Sequence, residues 1–373
     1  MVDPNTPVVV AARRTPIAPK GGALARLTAA ELAAPVIRAS VDETGLAEVG
    51  DVVLGNVMGP GGNIARVAAL AAGLDVTVPG MTIDRQCGSG LAAIITAAEA
   101  IRAGDGRLRI AGGVESCSTT PIRIADGVAY DRAPFAPPGH PDPDMVRAAQ
   151  DLAVFDGIDR DRQDAYAARS HRLAVLTQGH RGFDAELVPL AGVTADSGPR
   201  ERMPTMLDRF PPLFPGAGGT LTAGNSCRDS DGAAAVALVP AGAGLPGLAL
   251  IATATVGCDP ALPGLGPVPA VERLLATAGV TLADVAAIEL VEAFAAQALA
   301  ALTRLGLTDQ DSRVCADGGA LALGHPWGAS AAVSVVRLFS RLVRSGAPAG
   351  TLGLATAAVG GGLGVAALFE VVR

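Results

Sequence analysis

Apolar runs of strand length alternate with stretches of helical spacing over the first third of this chain and again over its last third. Pro7–Ala12 and Asp51–Val57 read as strands, and Ala29–Glu43 and Ile64–Ala72 repeat apolar residues at three- and four-residue intervals. Gly80–Asp84 leads into a long helical pattern that ends near Gly104, and Arg107–Gly112 is the next strand. From about Ala233 the buried pattern resumes with strands Ala233–Val239 and Leu248–Val256, helix Pro269–Ala278 and strand Ala286–Leu290. Helices Ala293–Leu305 and Trp327–Arg344 and a strand near Val365–Val372 complete it. Continuous apolar strands alternating with helices predict a parallel sheet covered on both faces.

Between Thr119 and about Thr220 the pattern changes. Charge and proline concentrate there, with Pro134, Pro137, Pro138, Pro141, Pro143, Pro211, Pro212 and Pro215, and one amphipathic helix, Asp161–Gln178, stands out. This stretch reads as an inserted, more exposed lobe. The flanking regions echo each other: each has a reactive residue (Cys87, His325) ahead of a helix of small residues, followed by a glycine-rich strand region. That symmetry predicts a duplicated fold.

Composition narrows the class. Half of the 373 residues are hydrophobic, only 17% are charged and the net charge is −7. Such a chain buries a large core, forms two or three domains and offers no basic surface to nucleic acid. The uncharged stretches Gly232–Cys258 and Ser345–Phe369 are broken by glycine and proline, so they read as strands and turns rather than membrane spans. The five cysteines stand at 87, 117, 227, 258 and 315, without a paired spacing or a His/Cys cluster. No metal site is expected from them, and the odd count with no signal peptide fits a reducing cytoplasm.

The chemistry concentrates at Asp84-Arg-Gln-Cys87-Gly-Ser-Gly. A cysteine on a glycine-flanked turn at a helix start is expected to be a low-pKa thiolate, because backbone N–H groups there carry partial positive charge. A buried core cysteine in a tight strand–helix turn fits the same residues. His325 lies in a second glycine-rich turn, Gly324-His-Pro-Trp-Gly328, where the following proline holds it extended. There an imidazole tunes a thiolate or donates to a thioester oxygen, or else is a structural histidine satisfied by backbone. Gly360-Gly361-Gly362 offers backbone N–H groups for an oxyanion hole, and equally a tight buried turn. Among the other histidines, His171 and His180 sit in the charged insert, with His171 expected on a helix surface, and His140 is a lid-loop candidate.

With these residues in hand the chain resembles the thiolases over essentially its whole length. The matching stretches include Gln86-Cys87-Gly-Ser-Gly-Leu, Ala111-Gly-Gly-Val-Glu-Ser116, Gly219-Thr-Leu-Thr-Ala-Gly-Asn225, Glu292-Ala-Phe-Ala-Ala-Gln297, Gly324-His-Pro-Trp-Gly-Ala-Ser330 and Gly360-Gly-Gly-Leu-Gly. The resemblance implies an α/β fold with a duplicated five-layer α-β-α-β-α core. It places the N-terminal core domain at residues 1–119 plus 221–244, an inserted donor-binding loop domain at 120–220 and the C-terminal core domain at 245–373. It also implies a homodimer, with a tetramer as an option, and a coenzyme A or carrier-protein phosphopantetheine thioester as acyl donor, with no permanent cofactor. Cys87 matches the acylated nucleophile and His325 the histidine that polarises the thioester. The N–H groups of Cys87 and Gly360 match the oxyanion hole, and Asn225, Ser226 and Cys227 match the donor-contact segment.

Three departures accompany the match. Ala358 stands where thiolases carry the second cysteine, the base that removes the α-proton of the acyl acceptor, and a methyl group moves no proton. Val291 stands where an asparagine usually holds a water in the acceptor oxyanion hole; loss of one such contact costs about 3 kcal/mol of transition-state stabilisation. Cys227-Arg228 replaces a Ser-Gly pair, and Cys117 replaces a usual methionine.

The acylating half of the chemistry is thus kept and the enolate-forming half removed. The leading expectation is a biosynthetic acyltransferase that forms acyl-Cys87 and passes the group to an acceptor needing no strong base: a malonyl-type thioester, an electron-rich ring carbon or an amine. The alternatives are an ordinary acetyl-CoA acetyltransferase or ketoacyl-CoA thiolase with a substituted base, and a non-catalytic acyl-binding or partner subunit.

Overall fold

A computed structural model describes residues 3–216 and 218–373. In the first half, β1 (Pro7–Arg14), β2 (Ala18–Pro19), α1 (Ala29–Thr44), β3 (Val49–Gly55), α2 (Ile64–Ala71), β4 (Gly80–Ile83), α3 (Ser89–Arg102) and β5 (Leu108–Ser116) follow in order. A small hairpin of β6 (Arg123–Ala125) and β7 (Val128–Tyr130), then α4 (Met145–Phe155) and α5 (Arg160–Gly179), precede β8 (Ser230–Pro240). The second half runs through β9 (Gly247–Gly257), α6 (Pro267–Ala278), β10 (Val285–Leu290), α7 (Ala295–Arg304), α8 (Ala320–Leu323) and α9 (Trp327–Leu338). It ends in β11 (Leu352–Val359) and β12 (Leu363–Val372).

The main sheet runs β10-β11-β12-β9-β1-β8-β5-β3-β4, with β2 beside β8. Its two halves meet where β1 pairs with β9, Val8 opposite Ala249 and Val9 opposite Leu248. The halves repeat one pattern. In each, a central strand (β1, β9) is antiparallel to the next (β8, β12), that one to a third (β5, β11), and the third is parallel to a fourth (β3, β10). The repeat expected from the sequence is therefore present in the topology. The expectation of a parallel sheet is corrected: only β3–β4, β3–β5 and β10–β11 are parallel among the named strands. The physical reason is local. β11 returns to β12 through the three-glycine turn, a link too short to join any but antiparallel neighbours, and β1 lies between β8 and β9, antiparallel to both.

Strand periodicity sorts the core into layers. Ala234, Val236 and Leu238 of β8 face one cluster, while Ala233, Ala235, Ala237 and Val239 face another. In β12, Val365, Ala367 and Phe369 divide from Ala366 and Leu368 in the same way. Both faces of these strands are covered, which is why they read as unbroken apolar runs. Helices α3 and α9 pack on each other and on both halves of the sheet, forming the middle layer, with α1 and α2 outside one half and α6 and α7 outside the other. Small residues allow the tight spacing: a Cβ on Gly113 of β5 would lie 1.9 Å from the Gly328 carbonyl oxygen, and one on Gly90 of α3 2.9 Å from it. Both helices therefore begin in the same central corner.

Candidate active site

Cys87 sits on the turn between β4 and α3. Gln86, just before it, holds φ +45°, a left-handed conformation uncommon for a side chain of this kind. Ser89 fastens the turn: its Oγ donates to the Gln86 carbonyl at 2.6 Å and accepts from the Arg85 N–H at 2.7 Å. The strain is thus held locally at the residue that presents the thiol.

His325 arrives from the other half. Its N–H donates to the Arg228 carbonyl at 2.9 Å, and the segment around Asp229 runs parallel beside it. The approach needs Gly324, at φ +115°, because a Cβ there would lie 2.3 Å from Ser230 Oγ. His325 Nε2 lies 3.2 Å from Cys87 Sγ, and Nδ1 lies 2.6 Å from Ser330 Oγ. The Ser330 hydroxyl donates to the Pro326 carbonyl at 3.2 Å, so its oxygen is left to accept from Nδ1–H. That network assigns the lone pair to Nε2, facing the thiol.

The electrostatics correct the low-pKa expectation. Burial pushes the Cys87 thiol up to about 12; its own backbone N–H opposes this, and the charges of Glu115, Asp229 and Asp84 add to it. Burial pushes His325 down to about 4. The resting pair is a neutral thiol against a neutral imidazole. The helix start does not win because burial takes the thiolate out of water, and the charges of Glu115, Asp229 and Asp84 add to that cost.

The glycine turn abuts the same corner. A Cβ on Gly88 would lie 2.8 Å from Val359 Cγ2 and 2.9 Å from Val365 Cγ1, so the Cys87 turn is seated on the β11–β12 hairpin. Among the described residues, neither the Cys87 nor the Gly360 N–H donates to another residue of the protein. Ala358 is buried and pairs with Gly364 across the hairpin. Val291 is buried and lines a cavity behind His325 with Pro326, Ser330, Ser334 and Arg337.

Of the donor-contact candidates, Cys227 and Ser226 remain partly open; burial makes the Cys227 thiol costly to ionise, and nearby Asp229 and Cys87 add to that. Asn225 is a correction. It is fully buried, its Oδ1 accepts from the Thr222 N–H at 2.8 Å, and its Nδ2 donates to Asp164 Oδ1 at 2.8 Å and the Thr220 carbonyl at 3.1 Å. It holds the loop and has no donor left for a ligand. Arg228 donates to the Gly198 carbonyl at 2.9 Å and lies near Arg200 and His171. His171 is a second correction: it is buried on α5, with Nδ1 accepting from the Arg200 N–H at 3.3 Å. The buried face of α5 mixes Ala167, Ala168 and Ala174 with Gln163, Tyr166, Arg169, Ser170 and His171, so the apolar pattern did not mark His171 as buried. His140 is exposed on the proline-rich loop.

Several residues that build the candidate site escaped the sequence reading. Ser330 had a faint signal, a serine in the first turn of the helix after His325. Glu115 is buried and accepts from the N–H groups of Val57, Met58 and Gly328, each at 3.1 Å, and from Asn56 Nδ2 at 3.0 Å. It thereby ties the start of α9 to the β3 loop. Asp229 accepts from the Trp327 indole N–H at 2.9 Å at the rim of the site.

Comparison with known proteins agrees with this picture. The family profile described as the thiolase N-terminal domain matches residues 7–242, and that of the thiolase C-terminal domain matches 246–371. A Staphylococcus haemolyticus protein, provisionally named acetyl-CoA C-acetyltransferase VraB, is 41% identical over 387 residues, covering 97% of this chain and 98% of its own length. The Staphylococcus aureus (strain MRSA252) protein of that name is 39% identical over 386 residues, covering 98% and 99%. The crystal structure of the Bacillus anthracis acetyl-CoA acetyltransferase superposes with a TM-score of 0.90 at 35% identity, covering 98% of this chain and 99% of that one. The chain belongs to the thiolase family. It is an acyltransferase, which sets aside the reading as a non-catalytic partner.

Proposed function

We propose that this enzyme carries its acyl group as a thioester on Cys87 and hands it to an acceptor that needs no strong external base. The observation that supports this most is the 3.2 Å contact between Cys87 Sγ and His325 Nε2, with Nδ1 anchored on Ser330. His325 takes the thiol proton as sulfur attacks the donor carbonyl, because the neutral pair does not ionise on its own. The oxyanion is held by the N–H groups of Cys87 and Gly360. The bond from carbonyl carbon to donor sulfur then breaks, and the leaving thiolate recovers the proton from His325.

In the second half the acceptor attacks the acyl carbon and the bond to Cys87 breaks. With a malonyl-type acceptor, loss of carbon dioxide supplies the carbanion, so no residue at 358 has to remove an α-proton, and the departing Cys87 thiolate takes a proton from water. With an amine or ring carbon, the proton released by the acceptor passes to Cys87 through His325. The donor is a coenzyme A thioester or a carrier-protein phosphopantetheine thioester, approached through Ser226 and Cys227. A biosynthetic role in the cytoplasm and a homodimeric assembly complete this reading, as does a loop domain spanning residues 120–220.

A second reading is favoured by the names of the relatives: an acetyl-CoA C-acetyltransferase whose base lies elsewhere than 358. One set of measurements separates the two. Intact-protein mass after mixing with acetyl-CoA is expected to show an adduct in the native enzyme and none in Cys87→Ala. Acetoacetyl-CoA thiolysis is expected to be absent in the native enzyme and to appear in Ala358→Cys combined with Val291→Asn. Robust native thiolysis establishes the second reading instead.

A further inference from the structure

The loop between β7 and α4 brings one aromatic residue to the glycine turn. Phe135 lies in a stretch that is largely exposed and punctuated by Pro134, Pro137, Pro138, Pro141 and Pro143. It belongs to none of the three hydrophobic clusters that build the core. Its ring nevertheless touches Gly360: a Cβ there would lie 2.7 Å from Phe135 Cε2 and 3.1 Å from Cδ2 and Cζ. One on Gly361 would lie 3.3 Å from the Phe135 Cβ and carbonyl oxygen. No space remains between ring and turn.

The placement is held from the loop itself. The Arg132 guanidinium stacks over the Phe135 ring, 4.5 Å from its centroid. Arg132 also pairs with Asp142 at 2.7 Å, and the same Asp142 Oδ1 accepts from the Phe135 N–H at 3.2 Å. The prolines stiffen the segment before it folds, so little entropy is lost in presenting the ring. A half-buried aromatic outside the core clusters is thus pinned by an arginine and an aspartate with its ring against a turn made of glycine.

We propose that Phe135 sets the upper length of the acyl group on Cys87, its ring closing the space beyond the Gly360 turn where a longer chain would run. This rests on the acyl-Cys87 reading above. Gly360 supplies the second oxyanion donor in that reading, so the acyl carbon lies against this turn and a chain longer than a few carbons meets the ring. A pocket that lacks room for added methylenes discriminates by about tenfold or more.

The test loads the full-length enzyme with acetyl-, butyryl- and octanoyl-CoA and follows adduct formation by intact-protein mass. The native enzyme is expected to take octanoyl at least about tenfold more slowly than acetyl, and Phe135→Ala to close that gap by a similar factor. Phe135→Leu, which keeps most of the apolar volume, is expected to fall between them. An octanoyl-to-acetyl ratio that is the same in the native enzyme and Phe135→Ala overturns this proposal while leaving acyl-Cys87 intact. Absence of an adduct with any donor overturns the acyl-Cys87 reading, and Phe135's role with it.

Discussion

At the scale of single residues, the proposed reading has Cys87 react through its partner rather than through its own acidity. The thiol is pushed up to about 12 and the imidazole down to about 4, so both are neutral over the working range. Alkylation of Cys87 by iodoacetamide is therefore expected to rise with pH without a plateau below about pH 9, because the thiolate is the reacting species. A plateau near neutrality would mean an ion pair instead. Ser330 fixes the tautomer that makes His325 a base. Ser330→Ala leaves Nδ1–H without its acceptor, and the rate of Cys87 acylation, read by intact-protein mass, is expected to fall about tenfold. Ser330→Thr, which keeps the hydroxyl, is expected to recover much of it.

At the scale of elements, the site depends on how closely α3, α9 and β5 approach. Gly113 faces the Gly328 carbonyl, and a methyl group at 1.9 Å cannot be absorbed by side-chain movement, since the obstructing atom is backbone. Gly113→Ala is expected to destabilise the fold by more than the about 1–3 kcal/mol usual for overpacking, read as a lower denaturant midpoint. The start of α9 would shift with it and carry His325 off the thiol. Glu115 works on the same helix end from the other side through Gly328 N–H. The two half-sites are thus held by close backbone approach and by the buried Glu115 carboxylate.

At the scale of the whole molecule, buried titratable groups set the response to pH. His171 and His325 are both held near 4, against about 6.5 in an unfolded chain. The unfolded state binds more protons between those values, so the stability they contribute is present above about pH 6.5 and is lost as pH falls toward 4. Glu115 and Glu289, pushed up to about 7 by burial, act in the opposite sense: their contribution is present at low pH and is lost as pH rises through that range. His171→Asn lies outside the catalytic corner and isolates one term. Its melting temperature is expected to drop less than that of the native enzyme between about pH 6.5 and 4. An identical drop would mean that His171 takes up its proton as readily in the fold as in the unfolded chain.

Much of this protein was legible along the chain because buried strands and glycine-flanked turns leave strong local marks. The strand–turn–helix around Cys87, the glycine turn at 360 and the family membership follow from residue order alone, as does the alanine at 358, which can move no proton. The direction of the strands, the pKa of Cys87, the satisfaction of Asn225 and the burial of His171 do not. Each depends on what the fold brings together: a hairpin return, burial of the thiol beside Glu115 and Asp229, Asp164 on a helix 61 residues away, and the Arg200 backbone. Phe135 is the sharpest case, since nothing in its proline-rich loop marks it until the fold sets its ring on Gly360. Local sequence determines which groups a turn can present, and packing decides their charge, their partners and what space is left beside them.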